Sequence, residues 1–292
     1  MARGGTAAAV AVLIAATAGA GVGVYAWNQQ RPETPPSFQC AAMLGESSQS
    51  LTSEQAGYAA LIAAVTESRD LPARATTIAL ATAMQESSLR NLDYGDRDSL
   101  GLFQQRPSMG WGSEEEVQDP YYSTRRFLDS LVALDGWQDM EVTVAAQRVQ
   151  RSAFPDAYAR WESMARLWAS ALRGQTGGIA ITCDVDEGAG TTAQDFVARV
   201  EQDFGADAYA ISVLDMGGDQ IWLDVVPAAD DAPATDAFAS WAVAVAAQES
   251  VVAVVNGDAG WRAREGLTDV AAPPGARGVA VRLTPVAVSP GA

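Results

Sequence analysis

The chain has 292 residues, with 36 acidic and 19 basic side chains and a formal charge of −17. Every basic residue is arginine and there is no histidine, which excludes a histidine general base, a Ser-His-Asp triad, a lysine Schiff base and a histidine metal site. Carboxylates are the acid–base groups left near neutrality, and the strong acidity speaks against nucleic acid, whose phosphates it repels.

Thr6 to Trp27 is a run of 22 residues without a charge. At about 1.5 Å per helical residue it can cross a hydrocarbon core of about 30 Å. Ala16-Thr17-Ala18 and Ala18-Gly19-Ala20 also suit signal cleavage. The apolar character continues past them to Tyr25 and Trp27, which favours an uncleaved anchor over residues 1–28. The expected location is the cell membrane, single-pass, with the bulk of the chain extracytoplasmic, or secreted if the signal is cleaved. Residues 29–50 open on Gln-Gln-Arg-Pro-Glu-Thr-Pro-Pro and read as a spacer. The two cysteines, Cys40 and Cys183, form an even pair that reads as a disulfide in an oxidising compartment. They bracket a domain expected over residues 51–183.

In that domain Thr52 and Gln55 suit a capping box for a helix to about Glu67. Pro72 suits the start of an Ala-rich helix running to about Ser88. Further helices are expected over 123–134, 143–152 and 155–173. In the last, Tyr158, Trp161, Ala165, Trp168 and Leu172 share a face and read as core. Residues 184–192, Asp-Val-Asp-Glu-Gly-Ala-Gly-Thr-Thr, read as a linker. The pattern then changes over 193–286: a helix at 193–204, strands at 208–214 and 220–226, a helix at 235–248, and strands at 251–255 and 278–283. Trp222, Trp241 and Trp261 read as its core. It shows no acid pair, nucleophile or metal set, so it reads as a binding or packing module. The expected fold class is α+β: a transmembrane helix, a mostly α domain and a small C-terminal α+β domain.

Glu86 is the centre of the chemistry. It closes the apolar run Ala73–Glu86, so it stands at a core edge and a helix C-terminus. Burial and the negative helix end both disfavour its ionisation. A carboxyl kept protonated near neutrality can act as a general acid toward a glycosidic oxygen. Asp93, Asp96 and Asp98 crowd the following loop and leave three readings. One is a second carboxylate, which in an inverting hydrolase would lie about 6.5–9.5 Å from the first. Another is a calcium loop, although the central Gly and terminal Glu of the known pattern are missing. The third is turn chemistry around Gly95, with Arg97 pairing locally. Among the aromatics, Trp111, Tyr121 and Tyr122 sit in or beside loops, where an exposed ring suits a sugar face.

Glu86-Ser87, Asn91 and Ser99-x-Gly101-Leu102-Phe103-Gln104, with Pro107, resemble the lytic transglycosylase branch of the lysozyme-like superfamily. Phe103 stands where that family usually has Met. The stretch from Asn91 through Gln104-Gln105-Arg106-Pro107 to Trp111-Gly112 is similar to a segment of actinobacterial membrane-anchored envelope proteins. The resemblance implies a lysozyme-like fold over about 50–172 and cleavage of peptidoglycan glycan strands, with envelope proteins as further partners. It implies Glu86 as acid and then base, giving a 1,6-anhydro sugar with no cofactor and no metal. It also implies Ser87, Ser99 and Gln104 as polar substrate contacts, with Gln105 beside them. The family's Ala-Tyr-Asn stretch is absent from 143–158, where Gln147 or Gln150 stands in for it, or else the site binds glycan without cutting it. An inactive glycan- or partner-binding envelope protein is therefore the alternative.

Overall fold

The computed structural model describes residues 39–151, 156–217, 220–228 and 232–286. The apolar run read as an anchor, and the Pro-rich run after it, lie outside the described residues. No helix among the described residues is long and apolar enough to cross a membrane.

Residues 39–50, read as the end of a spacer, carry strands instead. β1 (Gln39–Leu44) and β2 (Ser47–Thr52) form an antiparallel hairpin. β3 (Ile181–Cys183) pairs with the other edge of β1, which sets Cys40 opposite Cys183, and the two are joined by a disulfide. A covalent tie between sequence-distant strands thus closes the helical part of the chain.

The Thr52–Gln55 capping box forms as expected and opens α1 (Ser53–Glu67). α2 (Ala73–Ser87) follows, with Pro72 as its N-cap. Both helices are buried on nearly every side, as their small apolar side chains allow. Around them lie α3 (Glu114–Gln118), α4 (Pro120–Val132), α5 (Val142–Gln150) and α6 (Glu162–Leu172). The single helix expected over 155–173 is divided, because residues Ala159–Trp161 form a 3₁₀ turn ahead of α6. That turn is pinned to α2: Arg160 and Trp161 both donate to Gln85 Oε1, at 3.0 and 2.9 Å. Trp168, Tyr158, Ala165 and Leu172 are buried, as their spacing suggests.

The C-terminal part contains α7 (Ala193–Phe204), β4 (Tyr209–Leu214), β5 (Ile221–Pro227), α8 (Ala232–Ala244) and α9 (Ala246–Glu249). It is completed by β6 (Val251–Asn256), β7 (Ala259–Arg262), β8 (Gly266–Leu267) and β9 (Val279–Leu283). Its six strands form an antiparallel sheet in the order β4-β5-β9-β6-β7-β8. The molecule is mixed α+β.

The two parts share one apolar core, running from Cys40 to Leu283 through Trp168, Trp241 and Trp261. Between them Asp203, almost fully buried, accepts from Arg199 Nε at 2.9 Å, Trp241 Nε1 at 2.7 Å and the Tyr121 hydroxyl. Arg199 also pairs with Glu249 at 2.8 Å. The stretch read as a linker is held in place: Val185 is buried, the Gly190 N–H donates to Ser250 Oγ, and Thr191 bridges to Pro285. The described residues accordingly form one unit.

Candidate functional site

α2 ends abruptly behind Glu86. Ser88 and Leu89 both adopt left-handed backbone, and their N–H groups return to Met84 and Ala83 carbonyls. Non-glycine residues in that region cost about 1–3 kcal/mol each. Fully buried Leu89 anchors the bend by packing into the core. The chain then loops out and returns as the Gly101–Gln104 turn.

Glu86 is partly exposed and sits one residue before the end of α2. The hydroxyl of fully buried Tyr158 donates to its Oε1 at 2.7 Å. Burial pushes its carboxyl above the usual carboxylate range, and hydrogen bonds from Tyr158 and Gln150 oppose that push. Gln150 also donates to the Phe103 carbonyl at 2.7 Å, so one amide joins the returning turn to the acid.

The other motif residues divide into two groups. Ser87 is buried; its hydroxyl lies 2.7 Å from the Leu102 carbonyl and 3.0 Å from that of Ala83, and it accepts from the Arg90 N–H. Its polar capacity is spent fastening the turn to the helix. Gln105 is 1% exposed and donates to the Ser123 carbonyl at 3.0 Å. Ser99 is 8% exposed within the loop, and its N–H donates to the Asp96 carbonyl. These three hold the site together from within.

Gln104, Trp111 and Gln150 instead line a cleft of about 520 Å³ between the returning turn, α4 and the end of α5. Gln104 takes a left-handed backbone and reaches the Tyr94 and Gly101 carbonyls at 3.3 Å. Gly95 permits this, since a Cβ there would lie 2.0 Å from Gln104 Oε1 and 2.5 Å from the Ser99 carbonyl. Glu86 is linked to the cleft through Gln150 and is not among its lining residues. Trp111 is partly buried against the core, and its carbonyl accepts from Tyr122 Oη and Arg126 Nε. Tyr121 is buried, with its hydroxyl on Asp203, so it offers no sugar platform.

The loop acids behave as turn residues. Asp98 accepts from Arg106 Nε at 2.7 Å and from the Ser108 N–H at 2.8 Å, and the bonds from Ser108 and Arg106 hold its carboxyl well below the usual range. Asp96 is exposed and pairs loosely with Arg97 at 3.9 Å. Among the described residues no group of three or more acidic, cysteine or histidine side chains is placed to hold a metal ion.

Tyr158 is the hydrogen-bond partner of Glu86 that sequence reasoning assigned only to the core. Its burial was legible from helical spacing. Its hydroxyl was the remaining clue, because a buried phenol needs a hydrogen-bond partner. Phe103 is fully buried and stacks on Phe127 with ring centroids 4.7 Å apart, so its side chain fills the core behind the turn. Compared with known proteins, the chain matches no family model, and no curated protein matches it either.

Proposed function

We propose that this chain is a membrane-anchored, extracytoplasmic protein that cleaves peptidoglycan glycan strands by the lytic transglycosylase route. The observation that carries the reading is a single carboxyl, Glu86, raised above the normal carboxylate range by burial and joined through Gln150 to a cleft lined by Gln104 and Trp111. In its protonated form Glu86 donates to the glycosidic oxygen as the bond to C1 breaks. The resulting carboxylate takes the proton from the C6 hydroxyl of the same sugar, whose oxygen closes on C1 to give the 1,6-anhydro end. No second acid and no water are consumed, which agrees with Asp98 being committed to Arg106 and Ser108. Tyr158 and Gln150 steady the ionised form between the two steps. The strained backbone at Ser88, Leu89 and Gln104, clustered at this one place, also supports a functional assignment.

The test is release of soluble products from purified sacculi. Wild type should give anhydro-ended muropeptides, and Glu86→Gln should give none while keeping its fold. Undiminished release by Glu86→Gln defeats the catalytic role, and reducing ends in place of anhydro ends point to a hydrolase.

A second reading is a glycan- or partner-binding envelope protein without catalysis. It is favoured by the position of Glu86, whose carboxyl is engaged by Tyr158 and Gln150 and does not line the cleft. Sedimentation with sacculi and no product from wild type or variant would select it.

A further inference from the structure

The cleft beside Glu86 has a charge opposite to that of the rest of the chain. Against a formal charge of −17, its lining includes Arg106, Arg126, Arg148 and Arg151 and no aspartate or glutamate. Arg106 is tied to Asp98 at 2.7 Å, and Arg126 is oriented by the Gly110 and Trp111 carbonyls and lies 3.9 Å from Asp129. Arg148 and Arg151 are exposed, and among the described residues neither has an acid within 4.0 Å. Favourable placement at the C-terminal end of α5 explains two of these cations. It does not explain why Arg106, from the returning turn, and Arg126, from α4, face the same space.

Asp98 and Asp129 offset the charges of Arg106 and Arg126 from outside the lining, which leaves Arg148 and Arg151 as the cleft cations with no acid beside them among the described residues. Guanidinium groups suit planar oxyanions because they donate paired N–H bonds. In an acidic molecule, such a cleft also concentrates negative ligands at one place. We infer that these arginines form an oxyanion subsite that seats a free carboxylate of the peptide stem borne by a glycan strand, next to the sugar-facing Gln104, Trp111 and Gln150. This inference rests on the glycan reading above and specifies its substrate: strands that still carry acidic stems, in preference to bare or amidated ones.

The test measures binding to the full chain carrying Glu86→Gln, which prevents turnover. The probes are soluble glycan strands with free stem carboxylates, the same strands after carbodiimide amidation, a neutral N-acetylglucosamine oligomer, and a phosphodiester polymer. Free-carboxylate strands should bind about tenfold more tightly than amidated ones, equal to about 1.4 kcal/mol, and high salt should erase the difference. Adding Arg148→Gln and Arg151→Gln should remove the preference while the neutral oligomer binds as before. Equal binding of free and amidated strands overturns the subsite and leaves the glycan reading standing, as does a preference that survives both substitutions. Binding of the phosphodiester polymer in place of stem-bearing strands overturns the assignment to stems. If no strand binds, charged or neutral, both this inference and the glycan reading fall.

Discussion

Replacing Tyr158 by Phe removes one oxygen and keeps the ring that fills the core. The lost group donates at 2.7 Å to Glu86 Oε1 and is shielded from water. A hydrogen bond to an ionised acceptor contributes about 1.5–3 kcal/mol, and one to a neutral acceptor about 0.5–1.5 kcal/mol. The cost of Tyr158→Phe should therefore depend on pH. The sign follows from burial, which raises the folded-state pKa of Glu86 above its unfolded value. The folded state then binds this proton more tightly. Its stabilising contribution is complete below the unfolded pKa and is lost as pH rises through the folded pKa. The Tyr158 bond opposes the upward shift, so removing it enlarges that loss. Urea unfolding of wild type and Tyr158→Phe at pH 4 and pH 8 should show a deficit of about 1 kcal/mol at the lower pH and about 2–3 kcal/mol at the higher. Other carboxylates titrate in both proteins and cancel in the difference. The same deficit at both pH values would falsify the link between this hydroxyl and the charge on Glu86. A deficit that shrinks as pH rises would reverse the assigned direction.

Three other perturbations probe the frame around the site. Cys40→Ser with Cys183→Ser opens a loop spanning 143 residues. In the chain-entropy model this costs about 5 kcal/mol, to be read from urea midpoints against the oxidised wild type, and a loss under about 1 kcal/mol would contradict it. Asp203→Asn puts an amide among three donors and strips Arg199 of a buried partner. It should cost about 3–5 kcal/mol, and a neutral result would mean that the two parts of the chain do not depend on this node. Gly95→Ala forces a methyl against Gln104 Oε1 and the Ser99 carbonyl. It should destabilise by about 1–3 kcal/mol and weaken binding of a neutral oligosaccharide, whereas unchanged values of both would remove Gly95 as the element that seats Gln104.

The features legible in the sequence are those whose causes are local. The capping box needs only Thr52 and Gln55, and it forms as read. α7 spans Ala193–Phe204, as its pattern indicates. Trp241 and Trp261 are buried in the core, as their large apolar rings favour. The strands at 39–52 were illegible because Ser47–Ser50 is poor in β-branched and aromatic residues, and β1 needs β3 as its second neighbour from far along the chain. The continuous core was hidden for a similar reason, since a Gly- and acid-rich stretch looks like a linker whether or not its backbone is bonded to a distant strand.

The candidate site shows how far a motif can be read. Glu86 and the Gly101–Gln104 turn were marked by adjacent residue types, but adjacency does not distinguish a side chain that meets a ligand from one that braces the acid. Ser87 and Gln105, next to the motif acid and turn, have their polar atoms directed into the protein. The groups on the Glu86 carboxyl, Tyr158 and Gln150, arrive from 64 or more positions away, because α5 and the 3₁₀ turn both pack toward the end of α2. The four cleft arginines come from three separate segments and appear in the sequence as unrelated surface charges. Ser87 and Gln105 brace through partners 15 and 18 positions away, contacts that spacing alone does not identify. The groups that contact Glu86 meet it only after the helices pack, so in this fold the environment of that carboxyl is set largely by residues outside the motif.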